Sequence, residues 1–323
     1  MKAKLIATVI SLAFPLFLQA SNPVYAEQYP DPNKYINFIS TAAPGGTNDM
    51  QIRAIGVHLS KHLGGVKIMV ENIPGASGKI AFAKVYKAKP DGYTLLSYSL
   101  PAPVVTELVE QNVPYKTRDF VPIYAISSVP NVVVVNSETW KTLDEFVKEA
   151  RQRTVSIGMT GSKTANSLQA VAFAQAVKIK ANFVPFGSGA ESVTTLAGRH
   201  IDAVVTATIS AFPLVQAGKL RPLIVLSDEP DNTYPGVVLS KDSKWGIATF
   251  PLIAAYAGPP SLPADKVKSL EDAFAKALKE PAFIDWAKQV NLEIKPMNAA
   301  KVRTVTNDAF KNVTEYKSYF DKQ

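Results

Sequence analysis

Short apolar runs rich in β-branched residues alternate along this chain with segments in which apolar residues recur at helical spacing. The runs occupy residues 35–39, 67–70, 93–98, 132–135, 155–157, 182–185, 203–206, 223–226 and 252–257. Helical spacing is clearest over residues 52–63, 168–175 and 267–278. Strands and helices that alternate in this way predict an α/β fold with mostly parallel sheets.

Extended segments that contain proline mark two places where the chain would cross between such units. The first covers residues 121–130, with Pro122 and Pro130, and the second covers residues 245–251. A residue before proline is pushed out of the helical region, so both segments are predicted to be extended. Two crossings predict a discontinuous lobe I, formed by residues 27–127 and 251–323, and a lobe II formed by residues 128–250. We place the hinge near residues 126–130 and 248–252.

The N-terminus is typical of an exported protein. Lys2 and Lys4 precede an apolar stretch over residues 5–18, and small residues stand at the cleavage-type positions ending at Ala26. The stretch is short for a membrane span, which disfavours the alternative of an N-terminal anchor. We therefore predict a signal peptide over residues 1–26, cleaved between Ala26 and Glu27, and a mature chain in a bacterial periplasm.

The composition excludes several classes of chemistry. The 323 residues include no cysteine, which excludes disulfides, thiol catalysis, cysteine zinc sites and a lipidated cysteine after the signal. The formal net charge is +8, and it falls to +6 without the two lysines of the signal peptide. A modest positive field helps to attract an anionic ligand. The basic residues are scattered, so we expect no nucleic-acid partner, and we expect a monomer without metal or cofactor.

Two predicted strand-to-helix junctions are built from Gly, Ser and Thr. They read Pro44-Gly45-Gly46-Thr47-Asn48-Asp49 and Gly158-Met159-Thr160-Gly161-Ser162-Lys163-Thr164. The first N–H groups of a helix lack intrahelical partners and, with the positive end of the helix dipole, attract carboxylate or phosphate. One such loop in each half of the chain predicts a small anion held from two sides.

Several motifs occur in a specific order along the chain. They are Ala43-Pro44-Gly45-Gly46-Thr47-Asn48-Asp49 with Arg53, Val70-Glu71-Asn72-Ile73-Pro74-Gly75-Ala76-Ser77-Gly78, Lys89-Pro90-Asp91-Gly92-Tyr93-Thr94-Leu95-Leu96, Val184-Pro185-Phe186, Gly198 with Ile201-Asp202, Ala217-Gly218-Lys219-Leu220-Arg221-Pro222-Leu223 and Gly258-Pro259-Pro260-Ser261-Leu262-Pro263. The ordered set, which covers nearly the whole mature chain, resembles the Bug or TctC family. These are periplasmic substrate-binding proteins of tripartite tricarboxylate transporters.

The resemblance implies a two-lobed periplasmic-binding-protein fold of type II, with the ligand cleft between the lobes and two crossing strands as hinge. Members of the family are receptors, not enzymes. They bind carboxylates such as citrate, C4-dicarboxylates, acidic amino acids, nicotinate or aromatic acids, and deliver them to membrane transporter components. The family's carboxylate-binding loops correspond here to residues 45–49 and 160–164.

This chain departs from the family pattern near the expected cleft. Lys163-Thr164 and Ser167-Leu168 replace a Gly-Ser pair and a His-Leu, and Phe186-Gly187-Ser188 replaces Tyr-Lys-Gly. Thr206 stands where an acidic residue is common. The loss of an acid and the gain of Lys163 favour a more negative ligand. Long cationic side chains usually keep their charge in water, so a solvated Lys163 remains an equal alternative.

The predicted ligand-binding residues are Gly45, Gly46, Thr47, Asn48, Asp49, Ser97, Thr160, Gly161, Ser162, Lys163, Thr164, Phe186, Gly187 and Thr206. Asp49 has two alternative roles, because it either accepts N–H groups at the helix start or contacts the ligand. Arg53, one turn further on, is predicted to pair with Asp49 and hold the loop.

The main alternative is a secreted α/β serine hydrolase that acts on an ester bearing a carboxylate. Ser77 and Ser188 lie beside glycines, but neither has the Gly-x-Ser-x-Gly frame of that class.

His58 and His62 have the spacing of a metal pair, yet a bound metal normally needs three or four ligands. We therefore favour a binding protein over an enzyme.

Overall fold

The computed structural model of the chain describes residues 29–320. The predicted signal peptide and its cleavage site after Ala26 lie outside the described residues. No helix in the described part has both the length and the hydropathy needed to cross a bilayer.

Eleven strands and ten α-helices follow one another in the described chain. The strands are β1 (Tyr35–Ser40), β2 (Lys67–Asn72), β3 (Thr94–Leu100), β4 (Val121–Val129), β5 (Asn131–Asn136), β6 (Val155–Thr160), β7 (Ala181–Phe186), β8 (Ala203–Ala207), β9 (Leu220–Leu226), β10 (Leu252–Gly258) and β11 (Ile294–Asn298). The helices are α1 (Thr47–His62), α2 (Lys79–Tyr86), α3 (Ala102–Val109), α4 (Leu143–Ala150), α5 (Ala165–Ala176), α6 (Gly189–Ala197), α7 (Thr208–Gln216), α8 (Ala264–Ala277), α9 (Pro281–Gln289) and α10 (Ala299–Phe320). All nine predicted strands and the three predicted helices are present.

The strands form two sheets. The first has the order β11-β4-β10-β3-β1-β2 and the second the order β7-β6-β8-β5-β9. We call the first sheet with α1–α3 and α8–α10 lobe I, and the second sheet with α4–α7 lobe II. The α/β class and the two-lobed architecture predicted from the sequence are therefore confirmed.

The prediction of mostly parallel sheets was wrong, because both sheets are mixed. Strand β1 runs parallel to β2 and β3, and β6 runs parallel to β7 and β8. Strand β10, which returns from lobe II, is antiparallel to β3 and β4, and β5, which enters lobe II, is antiparallel to β8 and β9. The strands that carry the chain between the lobes are therefore antiparallel to their neighbours.

The edge strand β11 was not predicted. It pairs antiparallel with β4 and contains Pro296, which cannot donate to a ladder and is tolerated only at an edge or a bulge. Its side chains are exposed or half-buried, so it lacks the apolar run by which the other strands were recognised.

The core of lobe I joins the early strands to a late helix. Phe38 of β1 and Tyr256 of β10 are fully buried, and the Tyr256 ring stacks on Phe274 of α8 with 4.5 Å between centroids. Burying a side chain of this size stabilises the fold by about 1.5–3 kcal/mol. The chain after the second crossing therefore packs back onto the sheet that contains β1.

Helix α10 connects the two lobes through an apolar cluster. Phe310 and Val313 of α10 pack with residues of α3 in lobe I and with Leu168 of α5 in lobe II. Phe250, which precedes β10, lies in the same cluster. The lobes therefore share apolar contacts in addition to the two crossings of the chain.

Candidate functional site

The loop between β1 and α1 brings backbone N–H groups close together. Gly45 has φ +76°, a conformation that glycine adopts without strain. Gly46 is the N-cap of α1, and a Cβ there would lie 3.0 Å from the Ala43 carbonyl oxygen. The N–H groups of Thr47, Asn48 and Asp49 have no hydrogen-bond partner among the described residues. The helix therefore begins with three free donors and no side-chain cap.

Asp49 braces this loop from within. Its carboxylate accepts from the Gly45 N–H at 2.9 Å, from Arg53 Nε at 2.9 Å and from Asn72 Nδ2 at 2.7 Å. Burial alone would raise the pKa of Asp49, but the hydrogen bonds from Arg53, Asn72 and Gly45 outweigh it and hold the pKa below its ordinary value. The predicted Arg53–Asp49 pair is confirmed. Both carboxylate oxygens are engaged, which supports the loop-holding role, and contact of Asp49 with a ligand stays a prediction.

Asn48 places a polar side chain inside the first turn of α1. The residue is 3% exposed, its Nδ2 donates to Ser97 Oγ at 3.1 Å, and its Oδ1 has no partner within residues 29–320. A serine hydroxyl both donates and accepts, so turning the amide by 180° keeps the Ser97 contact and leaves the NH2 group free instead. Asn48 can therefore offer either a donor or an acceptor beside the free N–H groups.

The loop between β6 and α5 is closed by its own hydrogen bonds. Gly161 has φ +70°, and its N–H donates to the Phe186 carbonyl at 3.0 Å. Thr164 is the N-cap of a capping box in which its Oγ1 accepts from Ser167 N and Ser167 Oγ accepts from Thr164 N. The Thr164-x-x-Ser167 departure from the family pattern is thus a helix cap. The N–H groups of Ser162 and Lys163 have no partner among the described residues.

Lys163 forms an ion pair between the lobes. Its Nζ lies 3.4 Å from the carboxylate of Glu110, which follows α3 in lobe I, and Lys79 of α2 lies 4.0 Å from the same carboxylate. The three side chains are 25–31% exposed, so the pairs are partly screened by water. Because Glu110 already places a negative charge beside Lys163, the presence of Lys163 does not require a more negative ligand.

The remaining predicted residues lie at the ends of β7 and β8. Phe186 is half-buried at the end of β7, and the Gly187 N–H donates to Glu191 Oε2 at 2.9 Å. Thr206 is 1% exposed, and a Cβ at Gly189 would lie 2.9 Å from its Oγ1. The Thr206 hydroxyl therefore lies directly under the start of α6.

Buried amide side chains that no sequence pattern indicated bond both loop-bearing helices to the crossings. Gln51 of α1 accepts from Ser127 Oγ of β4 at 2.6 Å. Asn166 Nδ2 of α5 donates to Asn131 Oδ1 of β5 at 2.7 Å. In addition, the Gln169 side chain of α5 bonds the backbone at residues 248 and 250. Gln169 lies within a predicted helix, and Gln51 and Asn166 lie just before one, so no pattern in the sequence marked these amides as buried.

The described residues give no support to the enzyme alternative. His62 pairs with Glu280 and His58 packs its ring against Phe283. No hydrogen bond in the described part joins a serine hydroxyl to a histidine. Residues 29–320 also contain no cluster of three or more acidic or histidine side chains able to hold a metal. Ser77 lies in a short 3-10 turn, Ala76–Gly78, directly before α2.

These features define a class of protein. Two α/β lobes joined by two crossings, with a Gly-containing loop and a helix N-terminus after β1 in lobe I and after β6 in lobe II, are the arrangement of a two-lobed solute-binding protein. A sequence model of the tripartite tricarboxylate transporter family receptor, TctC, matches residues 51–316. The chain belongs to this family, which confirms the resemblance drawn from its motifs.

Individual relatives agree with this assignment. Protein BugT of Bordetella pertussis is 32% identical over 225 residues, which cover 67% of this chain and 67% of that protein. A UPF0065 protein in the gbd 5' region of Cupriavidus necator is 27% identical over 293 residues, 87% of this chain and 85% of that protein.

Solved structures share the fold. A TctC solute-binding protein from Polaromonas, without ligand, is 26% identical with a TM-score of 0.73, covering 92% of this chain and 100% of that one. MatC from Rhodopseudomonas palustris with bound malate has a TM-score of 0.78 at 19% identity, covering 90% of this chain and 100% of that one. The R. palustris protein Rpa4515 with adipate has a TM-score of 0.80 at 23% identity, covering 90% and 97%. At these last two identities the likeness shows the fold alone.

Proposed function

We propose that the mature chain is a periplasmic receptor that closes its two lobes on a small carboxylate and delivers it to the membrane components of a tripartite tricarboxylate-type transporter. The observation that carries the proposal is the start of α1. Three N–H groups and one polar atom of buried Asn48, all without a partner in the described part of the chain, meet at the positive end of a 16-residue helix. Such a site binds a carboxylate with little side-chain reorganisation.

Asp49 does not oppose an anion at this position. Its charge is neutralised by Arg53 and its oxygens are bonded within the loop. The Asp49 carboxylate therefore fixes the position of Gly45 within the loop. The loop in turn keeps the first N–H groups of α1 directed at the ligand.

A second contact comes from lobe II. The free N–H groups of Ser162 and Lys163 stand between β6 and α5, in the position that residues 45–49 have in lobe I. Gln51 and Asn166 bond these two helices to Ser127 and Asn131 of the first crossing. We infer that hinge closure brings the two loops to opposite ends of one ligand.

We propose a dicarboxylate as the ligand class. One carboxylate would meet each loop, and malate and adipate, bound in the two R. palustris structures of the same fold, are both dicarboxylates. Periplasmic location follows from the predicted signal peptide and from the family.

A thermal-shift screen tests the proposal. The mature protein is heated with a panel of mono-, di- and tricarboxylates, and hydrolysis of carboxylate esters is measured in parallel. A ligand at 100 times its Kd stabilises the folded state by about 2.7 kcal/mol, so a receptor shows a clear rise in Tm without turnover. Ester turnover, or a panel without any shift, would contradict the proposal.

A further inference from the structure

Two neighbouring cavities lie on lobe I beside the first half of α10. The first has a volume of about 260 Å³, and its lining includes Tyr98, Thr117, Arg118, Pro122, Arg303 and Asn307. The second, also about 260 Å³, has a lining that includes Pro122, Leu262, Val267, Ala299, Ala300 and Arg303. They share Pro122 and Arg303, and neither includes a residue of the loops at 45–49 or 160–164.

The first cavity contains two guanidinium groups with free donors. Arg303 has no hydrogen bond or ion pair among the described residues. Arg118 donates from Nε to Asn307 Oδ1 at 3.2 Å and stacks on the Phe310 ring at 3.9 Å, which leaves both terminal nitrogens free. A stacked guanidinium is held in one plane and loses little freedom when it binds a carboxylate.

Two hydroxyl groups in this cavity also lack partners in the described part of the chain. Thr117 is 5% exposed and its Oγ1 has no hydrogen-bond partner. Burial raises the pKa of the Tyr98 hydroxyl, although the charge of Arg303 acts in the opposite direction, so the phenol stays protonated and is a donor. A polar group bound in the cavity would give the buried Thr117 hydroxyl the partner that it lacks among the described residues.

Carboxylates of the protein do not fill this cavity. None of its lining residues is acidic. The acidic residues nearest in sequence have other partners. Glu107 Oε2 accepts the backbone N–H of Thr117 at 2.7 Å, Asp119 Oδ2 accepts from Tyr86 at 2.5 Å, and Asp308 lies 3.9 Å from Lys311. Positive charge therefore dominates at Arg118 and Arg303.

The second cavity differs in character, because Arg303 is its one charged lining residue. The others are aliphatic side chains and Pro122. Arg303 lines both cavities. A ligand could therefore place its charged end against Arg303 in the first cavity and its apolar part in the second.

We propose that the two cavities form a second binding site, for a small organic carboxylate with an apolar body. Arg118 and Arg303 bind the carboxylate, Thr117 and Tyr98 donate to it, and the apolar body lies over Pro122 against the aliphatic side chains. This site is separate from the proposed cleft between the lobes and does not depend on the function assigned to that cleft.

Hexanoate and acetate are suitable probes, because they share a carboxylate and differ by four methylene groups. Each is titrated at constant ionic strength into 15N-labelled mature protein, and backbone amide shifts are recorded. We expect saturable shifts at Thr117, Arg118 and Asn307 with both probes, and at Ala299 and Ala300 with hexanoate. Hexanoate should bind at least tenfold more tightly than acetate, because each buried methylene contributes about 0.8 kcal/mol. Hexanoate shifts confined to residues 45–49 and 160–164, or no saturation, would overturn the proposal.

Two variants of α10 test whether hexanoate binding depends on this site or only on the general positive charge of the surface. Arg303→Gln should weaken hexanoate at least tenfold. Lys301→Gln removes the same charge from an exposed position that lines neither cavity, and should change affinity less than twofold. Thr117→Val, which removes the unpaired hydroxyl with little change of shape, should weaken hexanoate without destabilising the fold. Equal losses in Arg303→Gln and Lys301→Gln would show diffuse charge attraction and overturn the site.

Discussion

The side-chain amide of Asn131, on the strand that enters lobe II, donates to the carbonyl oxygen of Phe250, just before the strand that leaves it, at 2.9 Å. Asn131 is fully buried, and its Oδ1 accepts from Asn166 at 2.7 Å. One side chain therefore joins both crossings to the helix that follows the lobe II loop. Hinge motion at this point should move the crossings and α5 as a unit.

Asn131→Ala should destabilise the protein, because it leaves the Phe250 carbonyl and the Asn166 amide buried without partners. Each unsatisfied group costs about 1–3 kcal/mol. Urea denaturation measures the loss, and Asn182→Ala, at an exposed position of β7, is the control with an expected change within about 0.5 kcal/mol. Equal effects of the two substitutions would show that the Asn131 bonds contribute nothing.

Gly46→Val should weaken binding of the best carboxylate at least tenfold and leave the protein folded. The φ of Gly46 is −69°, which valine adopts readily, but its Cβ would meet the Ala43 carbonyl and crowd the free N–H groups of α1. Calorimetry gives the affinity and circular dichroism the fold. Gly161→Val is a poorer test, because φ +70° and a contact of 2.5 Å to Thr164 Cγ2 would strain the loop itself.

Lys163→Met should lower carboxylate affinity less than tenfold, and Glu110→Gln should have a similar effect. The two residues form one partly exposed ion pair between the lobes, and such pairs contribute about 0.2–1 kcal/mol. In a double-mutant cycle the combined variant should lose no more than either single variant. A large loss in Lys163→Met alone would instead show direct contact between Lys163 and the ligand.

Asp49 should stabilise the fold at neutral pH and lose that contribution in acid. Its folded pKa lies below the unfolded value of about 3.9, so the stabilisation is present above that pH and disappears as the pH falls toward the folded pKa. Urea denaturation between pH 3 and pH 7 should therefore show a steeper loss for the wild type than for Asp49→Asn. Asp285→Asn, on the exposed side of α9, is the control and should follow the wild-type profile.

The sequence predicted the elements better than their arrangement. The β-branched runs identify nine strands because apolar runs are a local property, and the ordered motifs identify the family. The direction of β10 and β5 follows from crossings between lobes, which no local pattern records. Strand β11 was not predicted, because a segment with Pro296 and mostly exposed or half-buried side chains lacks the apolar run typical of a strand.

The site shows the same division between local and distant effects. The Asp49–Arg53 pair was predictable because the residues lie one helical turn apart. The partner of Lys163 was not, because Glu110 is 53 positions away in another lobe. The amides of Gln51 and Gln169 lie on helices, where glutamine usually faces solvent, so their bonds to the crossings carried no signal.

The most direct test of the account is a calorimetric titration of the best dicarboxylate of the panel into wild-type, Asn48→Ala and Asn182→Ala protein. We predict wild-type affinity in Asn182→Ala and a loss of at least tenfold in Asn48→Ala, whose side chain lies beside the first N–H groups of α1. Equal affinity in all three proteins would show that the ligand does not bind at the start of α1, and would contradict the central claim.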